Sequence, residues 1–196
     1  MQCWKRLRRP AAVAPLFSAL TAVLQPVRAE IPTAPPPWMP DQLFVRHGVA
    51  RDARATVLGA KWDLPWRLHW GERGVLSAYV EAAAGHWTSD TAGVRASAVS
   101  TQAGLTPVFR YSFSGDHGWY VEGGVGVNVI TPVYRSREKQ FSTAFNFGDH
   151  AALGWRSAGA RAWDWSLRVQ HFSNAGIARP NPGEDFLQLQ VARALR

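Results

Sequence analysis

The chain alternates apolar and polar residues along most of its length, which is the period-2 pattern of β-strands. In residues 119–129, for example, Trp119 and Val121 share one parity, whereas Glu122 and Asn128 fall on the other. Apolar residues at helical spacing are scarce after the first forty residues. The pattern therefore predicts an all-β protein.

Eight alternating segments follow one another along the chain. We predict strands at 42–49, 54–65, 75–87, 98–113, 118–130, 141–156, 161–173 and 184–196. An even number of strands of about ten residues is typical of antiparallel barrels in the bacterial outer membrane. Eight strands leave an interior that side chains fill, without a pore.

The period of the pattern alone does not decide which face of the strands is inside. A soluble sandwich or barrel buries its apolar face, whereas an outer-membrane barrel turns that face to lipid and fills its lumen with polar groups. Aromatic residues near segment ends favour the membrane barrel, namely Trp87, Trp119, Trp155 and Trp163. We therefore predict an eight-stranded antiparallel transmembrane β-barrel of the bacterial outer membrane, with a soluble periplasmic barrel as the alternative.

The polar parity of this barrel would face the lumen, where opposite charges can neutralise one another. The charged residues on that parity include Glu81, Glu122, Asp164, Arg110 and Arg168. One carboxylate departs from the pattern, because Asp149 lies on the apolar parity of the sixth segment. A bulge or a strand end at that position would explain the departure.

The N-terminal region has the sequence of a secretory signal. A basic start, an apolar stretch at 11–24 and small residues up to Ala29 predict a signal peptide over residues 1–29. Residues 30–41 are rich in proline, which cannot pair fully in a sheet, and predict an extended leader. The barrel then occupies residues 42–196.

Removal of the signal peptide changes the charge and the cysteine content of the protein. The full chain of 196 residues has a formal charge of +8, and cleavage takes five of these positive charges and no acid, leaving +3. This balance argues against a nucleic-acid partner. The lone Cys3 leaves as well, so we expect no disulfide and no thiolate metal site. The histidines show no ligand spacing, and we expect neither a metal nor a cofactor.

Two polar residues, His171 and Ser173, lie at the end of the seventh segment on its lipid-facing parity. With a periplasmic N-terminus, this end of the strand is extracellular. A hydroxyl beside an imidazole is the arrangement of a nucleophile and its general base. The next strand begins with Glu184 and Asp185, and a carboxylate there can support the imidazole. Strand parity favours Asp185.

The run His-Phe-Ser-Asn-Ala-Gly-Ile at 171–177, followed by Pro-Asn-Pro-Gly at 180–183 and an acid, resembles the C-terminal signature of the lipid A 3-O-deacylase (PagL) family. The resemblance implies an integral outer-membrane enzyme that hydrolyses the ester-linked hydroxyacyl chain at position 3 of lipid A. It also implies a Ser-His-acid triad without metal, in which His171 is the base, Ser173 the nucleophile and Asn174 a residue needed for activity.

The family pattern places a Glu after the glycine, which favours Glu184 as the acid, so both acids stay candidates with a slight preference for Asp185. We expect the Asn174 side chain or backbone N–H groups near Gly176 to stabilise the oxyanion. Cationic residues after the fifth strand (Arg135, Arg137 and Lys139) would contact lipid A phosphates or simply be solvated.

The expected partners are lipid A, the outer membrane and a second copy of the chain in a homodimer. Two other functions are compatible with the same residues. One is a non-catalytic outer-membrane barrel, an adhesin or a structural protein, in which His171 and Ser173 are only hydrogen-bonding groups at the rim. The other is a different lipid A-modifying acyl enzyme, such as an acyltransferase.

Overall fold

The computed structural model describes residue 36, residues 38–91 and residues 98–196. Eight antiparallel strands form a closed barrel, in which each strand pairs with its sequence neighbour and the last pairs with the first. The strands are β1 (Gln42–Val49), β2 (Ala53–Trp70), β3 (Gly74–Ser89), β4 (Ala98–Ser112), β5 (Gly118–Thr131), β6 (Phe145–Arg156), β7 (Trp163–Ser173) and β8 (Glu184–Ala194). The prediction of an eight-stranded antiparallel barrel is confirmed.

The predicted signal peptide (1–29) and most of the predicted leader (30–41) lie outside the described residues. In the part of the chain that is described, no helix is both long and apolar enough to cross a membrane. We call the end of the barrel at which the odd-numbered strands finish the upper rim, and the other end the lower rim.

Most strand boundaries lie within two residues of the prediction, and two differ by more. β2 continues to Trp70 instead of ending at residue 65, with a shift of register between Asp63 and Arg67. Pro65 lies in this interval and has no N–H to donate to a ladder, so the pairing is interrupted there and then resumes. β6 begins at Phe145 and not at residue 141, because residues 132–144 form a loop at the upper rim.

The burial of side chains alternates residue by residue, with the apolar set on the outside. In β7, Leu167 and Val169 are exposed, whereas Arg168 between them is fully buried. The exposed outer wall includes Leu58, Val99, Leu105, Phe109, Trp119, Val125, Leu153, Trp155, Trp163, Trp165, Leu187 and Leu189. An apolar wall around a polar lumen is the arrangement of a barrel surrounded by lipid.

A network of ion pairs crosses the lumen. Its side chains are Arg46, Glu81, Arg110, Glu122, Asp164 and Arg168, all of them buried. Arg168 bridges Glu81 at 3.1 Å and Glu122 at 3.3 Å. Arg110 in turn contacts Glu122 at 2.7 Å. Each charge of this network thus has a partner of opposite sign in the lumen, which offsets the cost of removing it from water.

An aromatic cluster fills the lumen at the upper rim, above the ion pairs. Trp87 is almost fully buried, and its ring centre lies 4.8 Å from Phe172 and 4.7 Å from Phe186. Tyr134 and Phe141 of the β5–β6 loop pack on the same indole. Trp87, one of the four tryptophans near segment ends that favoured a membrane barrel, therefore faces the lumen, whereas Trp119, Trp155 and Trp163 are exposed on the outer wall.

The ion network generates a prediction for stability. Glu122→Gln keeps the shape of the side chain but leaves Arg110 and Arg168 short of a counter-charge, so we expect the free energy of unfolding to fall by about 3 kcal/mol. The measurement is urea unfolding of the barrel in detergent micelles. Asp116→Asn, which breaks the exposed pair with Arg67, is the matched control and should cost less than about 1 kcal/mol. Equal losses in the two variants would show that the lumen pairs do not stabilise the barrel.

Candidate active site

His171 and Asp185 form a hydrogen-bonded pair on the outer wall of the barrel, near the upper rim. The register of the β7–β8 ladder sets them directly opposite each other, and Nδ1 of His171 lies 2.7 Å from Oδ1 of Asp185. The two side chains are 41% and 69% exposed. An ionised carboxylate only accepts hydrogen bonds, so Nδ1 carries the proton and Nε2 is left as a base.

Ser173 lies two residues after His171 and is the last residue of β7. The period of the strand places its side chain on the same outer face as the imidazole. Both residues are partly exposed. Among the described residues, no hydrogen bond joins the Ser173 hydroxyl to His171. The structure therefore brings the two residues to one face and one strand end, and it joins only His171 and Asp185 directly.

Glu184, the other candidate acid, faces the lumen. Its carboxylate is buried and accepts hydrogen bonds from the Tyr134 hydroxyl at 2.7 Å and from Lys139 Nζ at 3.0 Å. Burial raises the pKa of the Tyr134 phenol above its ordinary value, so the hydroxyl stays protonated and able to donate. The structure does not bring Glu184 together with His171, because consecutive residues of a strand point to opposite faces.

Asn174, which the sequence suggested as an oxyanion donor, is buried, and its side chain is engaged by its own loop and by the β5–β6 loop. Its Nδ2 donates to Ser142 Oγ and to the carbonyl oxygen of Ala178, each at 2.9 Å. Its Oδ1 accepts from the backbone N–H of Gly176 at 2.9 Å. Neither the Asn174 amide nor the Gly176 N–H is therefore free to donate to an oxyanion in this structure. Asn174 instead connects the β7–β8 loop to the β5–β6 loop.

The β7–β8 loop returns to the barrel against the imidazole. Gly183 has a φ of +65°, and a Cβ built on it would lie 2.5 Å from Cε1 of His171. Only a residue without a side chain fits both this backbone conformation and this close approach. The last glycine of the 180–183 run thus has a steric role beside the site.

An open groove of about 650 Å³ runs along the outer wall beside His171. Pro107, Phe109 and Val125 line it, and the missing side chain of Gly123 recesses the wall between them. The groove is predominantly apolar and lies on the lipid-facing side. A narrow apolar surface of this kind suits an extended hydrocarbon chain.

Asp149 also lines this groove, and its place on the apolar parity of the sixth segment was noted above without a functional role. It is exposed, and the register places Asp149, His171 and Asp185 side by side on β6, β7 and β8. Neither a bulge nor a strand end explains its parity, since β6 pairs continuously through this position. The sequence did carry a signal for this residue. A carboxylate on the lipid-facing parity costs free energy unless it is paired or takes part in the function.

The three cationic residues of the β5–β6 loop differ in their surroundings. Lys139 is paired with Glu184, whereas Arg135 and Arg137 are exposed at the upper rim. In the described residues, no group of three or more His, Cys, Asp or Glu side chains is arranged to hold a metal ion.

The fold and the site together define a transmembrane-type barrel with a serine, a histidine and a carboxylate on its lipid-facing wall. A family model described as "Lipid A 3-O-deacylase (PagL)" matches residues 55–194. The chain therefore belongs to the lipid A 3-O-deacylase (PagL) family, as the resemblance of its C-terminal run implied.

Two curated relatives and one solved structure agree with this assignment. The chain is 32% identical to "Lipid A deacylase PagL" of Bordetella bronchiseptica over 178 residues, which cover 89% of this chain and 92% of the relative. It is 30% identical to the protein of the same name from Pseudomonas aeruginosa over 129 residues, 64% of this chain and 69% of the relative. A crystal structure of "the outer membrane enzyme PagL" has the same fold, with a TM-score of 0.65, 24% identity, and coverage of 77% of this chain and 97% of that one.

The packing of Gly183 on the imidazole generates a prediction for the site. In Gly183→Ala the new methyl group would collide with the His171 ring, so we expect the Nδ1–Oδ1 distance to Asp185 to exceed about 3.5 Å in a crystal structure. Gly71→Ala is the matched control, since Gly71 has a similar φ of +70° with open space around it. An unchanged His171–Asp185 pair in Gly183→Ala would contradict the steric role.

Proposed function

We propose that this protein is an outer-membrane esterase that removes the 3-O-linked hydroxyacyl chain of lipid A through a triad of Ser173, His171 and Asp185. Family membership supports the substrate, and both curated relatives are named lipid A deacylases. The observation that carries the assignment of residues is the 2.7 Å contact between His171 and Asp185 on the lipid-facing wall, with Ser173 on the same face.

The reaction is a two-step acyl transfer to water. Nε2 of His171 takes the proton of the Ser173 hydroxyl as Oγ attacks the ester carbonyl, and Asp185 stabilises the imidazolium that forms. The bond between the carbonyl carbon and the sugar oxygen then breaks, and the imidazolium returns its proton to that oxygen. Water, activated by the same His171, hydrolyses the acyl-enzyme and releases a hydroxy fatty acid. The hydrogen bond between a nucleophile and its base commonly shortens only when substrate binds, so the lack of a direct Ser173–His171 contact does not argue against these roles.

The oxyanion of the tetrahedral intermediate requires a hydrogen-bond donor near Ser173. We assign this role to the backbone of the loop that follows the serine. The N–H of Ala175 has no acceptor among the described residues, and Ala175 has an uncommon positive φ of 53°. Asn174 then acts by fixing the shape of this loop. This role explains why the family resemblance implies that Asn174 is needed for activity.

The groove beside His171 gives the proposed acyl chain a place on the barrel wall. A chain bound along Phe109 and Gly123 would stay in the membrane while its ester carbonyl reaches Ser173. Asp149, which lines the groove beside His171, can accept a hydrogen bond from the hydroxyl of a hydroxyacyl chain. This use would offset the cost of a carboxylate on the lipid-facing wall.

The same proposal fixes the orientation of the protein. The upper rim is extracellular, where lipid A forms the outer leaflet, and the chain reaches the outer membrane by means of the predicted signal peptide at 1–29. Arg135 and Arg137, exposed at this rim, are suited to contact the phosphates of lipid A. The homodimer stays a prediction.

Mass spectrometry of lipid A from membranes that contain the protein tests the proposed function. We expect lipid A to lose the mass of one hydroxyacyl chain with the wild type and to stay intact with Ser173→Ala, which removes the nucleophile. Asp185→Asn should reduce the rate by about 10³- to 10⁴-fold, because the imidazole loses its supporting charge.

Ser114→Ala, in the β4–β5 turn at the lower rim, is the matched control and should deacylate lipid A like the wild type. A gain of mass would identify an acyltransferase instead. Intact lipid A with the wild type, or full activity in Ser173→Ala, would contradict the proposal.

A further inference from the structure

The first two residues of β8 carry adjacent carboxylates with opposite surroundings. Asp185 is on the outer wall, 69% exposed, and His171 is the one side chain that hydrogen-bonds to it among the described residues. Glu184 is in the lumen, where Tyr134 and Lys139 both donate to it. Among the described residues, Asp185, the candidate acid of the triad, thus has one side-chain hydrogen-bond partner on the exposed wall, whereas the buried Glu184 has two.

The groups that hold Glu184 belong to the β5–β6 loop, which is itself anchored to the barrel. The Tyr134 ring lies 5.2 Å from that of Trp87 and 5.0 Å from that of Phe141, within the buried aromatic cluster. Farther along the same loop, Ser142 accepts a hydrogen bond from Asn174, the residue after Ser173. One loop therefore contacts the beginning of β8 and the end of β7.

Both strand ends need such support because they carry the proposed chemistry. Terminal residues of a strand have few ladder hydrogen bonds and open locally at little cost in free energy. Because consecutive residues of a strand project to opposite faces, a rotation of the β8 end that moved Asp185 would also have to move Glu184. That movement would break two hydrogen bonds to a buried carboxylate, which are among the stronger ones in proteins.

We propose that Glu184 is a positioning residue. By binding Tyr134 and Lys139 inside the barrel, it fixes the start of β8 so that Asp185 stays in contact with His171 outside. The inference rests on the proposed esterase function and assigns the second candidate acid a role different from that of the triad acid. Glu184 itself touches neither the substrate nor the reacting atoms.

The experiment measures deacylation kinetics of lipid A in detergent micelles by purified wild-type and variant proteins. In Glu184→Gln we expect kcat to fall about tenfold with KM within twofold of the wild type, because the groove is unchanged while the triad is looser. Glu138→Gln is the matched control: it makes the same change in the β5–β6 loop that contacts Glu184, at a side chain whose one ion-pair partner among the described residues is the exposed Arg51. It should leave kcat and KM unchanged.

Coupling to Asp185 separates positioning from a general effect on the fold. If Glu184 acts through Asp185, Glu184→Gln added to Asp185→Asn should lower kcat by less than about twofold further. Folding is checked in every variant by the migration of unboiled protein on a gel. Should Glu184→Gln fail to fold, Tyr134→Phe, which keeps the ring and removes one hydrogen bond, replaces it, with an expected fall in kcat of about threefold.

Each outcome bears on one of the two proposals. A full tenfold loss that multiplies with Asp185→Asn, a change confined to KM, or wild-type kinetics in a folded Glu184 or Tyr134 variant would overturn the positioning role while leaving the esterase function standing. Failure of the wild type to deacylate lipid A would overturn the esterase function itself.

Discussion

Closure of the sheet is the constraint on which the whole molecule depends. No strand edge can be left unpaired in lipid, so the eight strands form a closed ring. In such a ring every strand residue faces either lipid or the lumen, and its neighbour faces the other. In Glu184-Asp185, a buried residue therefore precedes an outward carboxylate. In His171-Phe172-Ser173, the buried Phe172 lies between two outward polar residues.

The lumen supplies the rigidity that the outer wall lacks. Arg168 and its carboxylate partners connect strands across the middle of the barrel, and the aromatic cluster around Trp87 fills the upper end. Phe172 and Phe186 belong to that cluster, one residue away from Ser173 and Asp185. The proposed triad is thus an outward extension of a packed interior, although its own side chains are partly or largely exposed.

Much of this arrangement was readable from the sequence because a strand has a simple period. Parity alone put His171 and Ser173 on the lipid-facing side and favoured Asp185 over Glu184, and the structure pairs Asp185 with His171. Closeness to a strand end was a poorer guide for Trp87, which the sequence analysis listed with Trp119, Trp155 and Trp163 as evidence for a membrane barrel. The residue is aromatic and near the rim, but its side chain points into the lumen.

Features that depend on contacts between distant segments could not be predicted. Nothing in the local pattern links Tyr134 to Glu184 or Asn174 to Ser142, because loop contacts follow no period. The groove could not be predicted from the sequence either. It forms where Gly123 and Val125 of β5 lie beside Phe109 of β4 in the closed sheet. The position of Asp149 on the apolar parity was visible in the sequence. Its proposed role could be inferred only from the structure, which places it beside His171.

A crystal structure of the protein, in a lipid phase, with a long-chain phosphonate that traps a serine esterase as a tetrahedral adduct would test the proposed triad most directly. We predict a covalent bond between phosphorus and Oγ of Ser173, Nε2 of His171 within hydrogen-bond distance of that oxygen, and the chain lying in the groove along Gly123. An adduct on another residue, or a chain that enters the lumen, would contradict it.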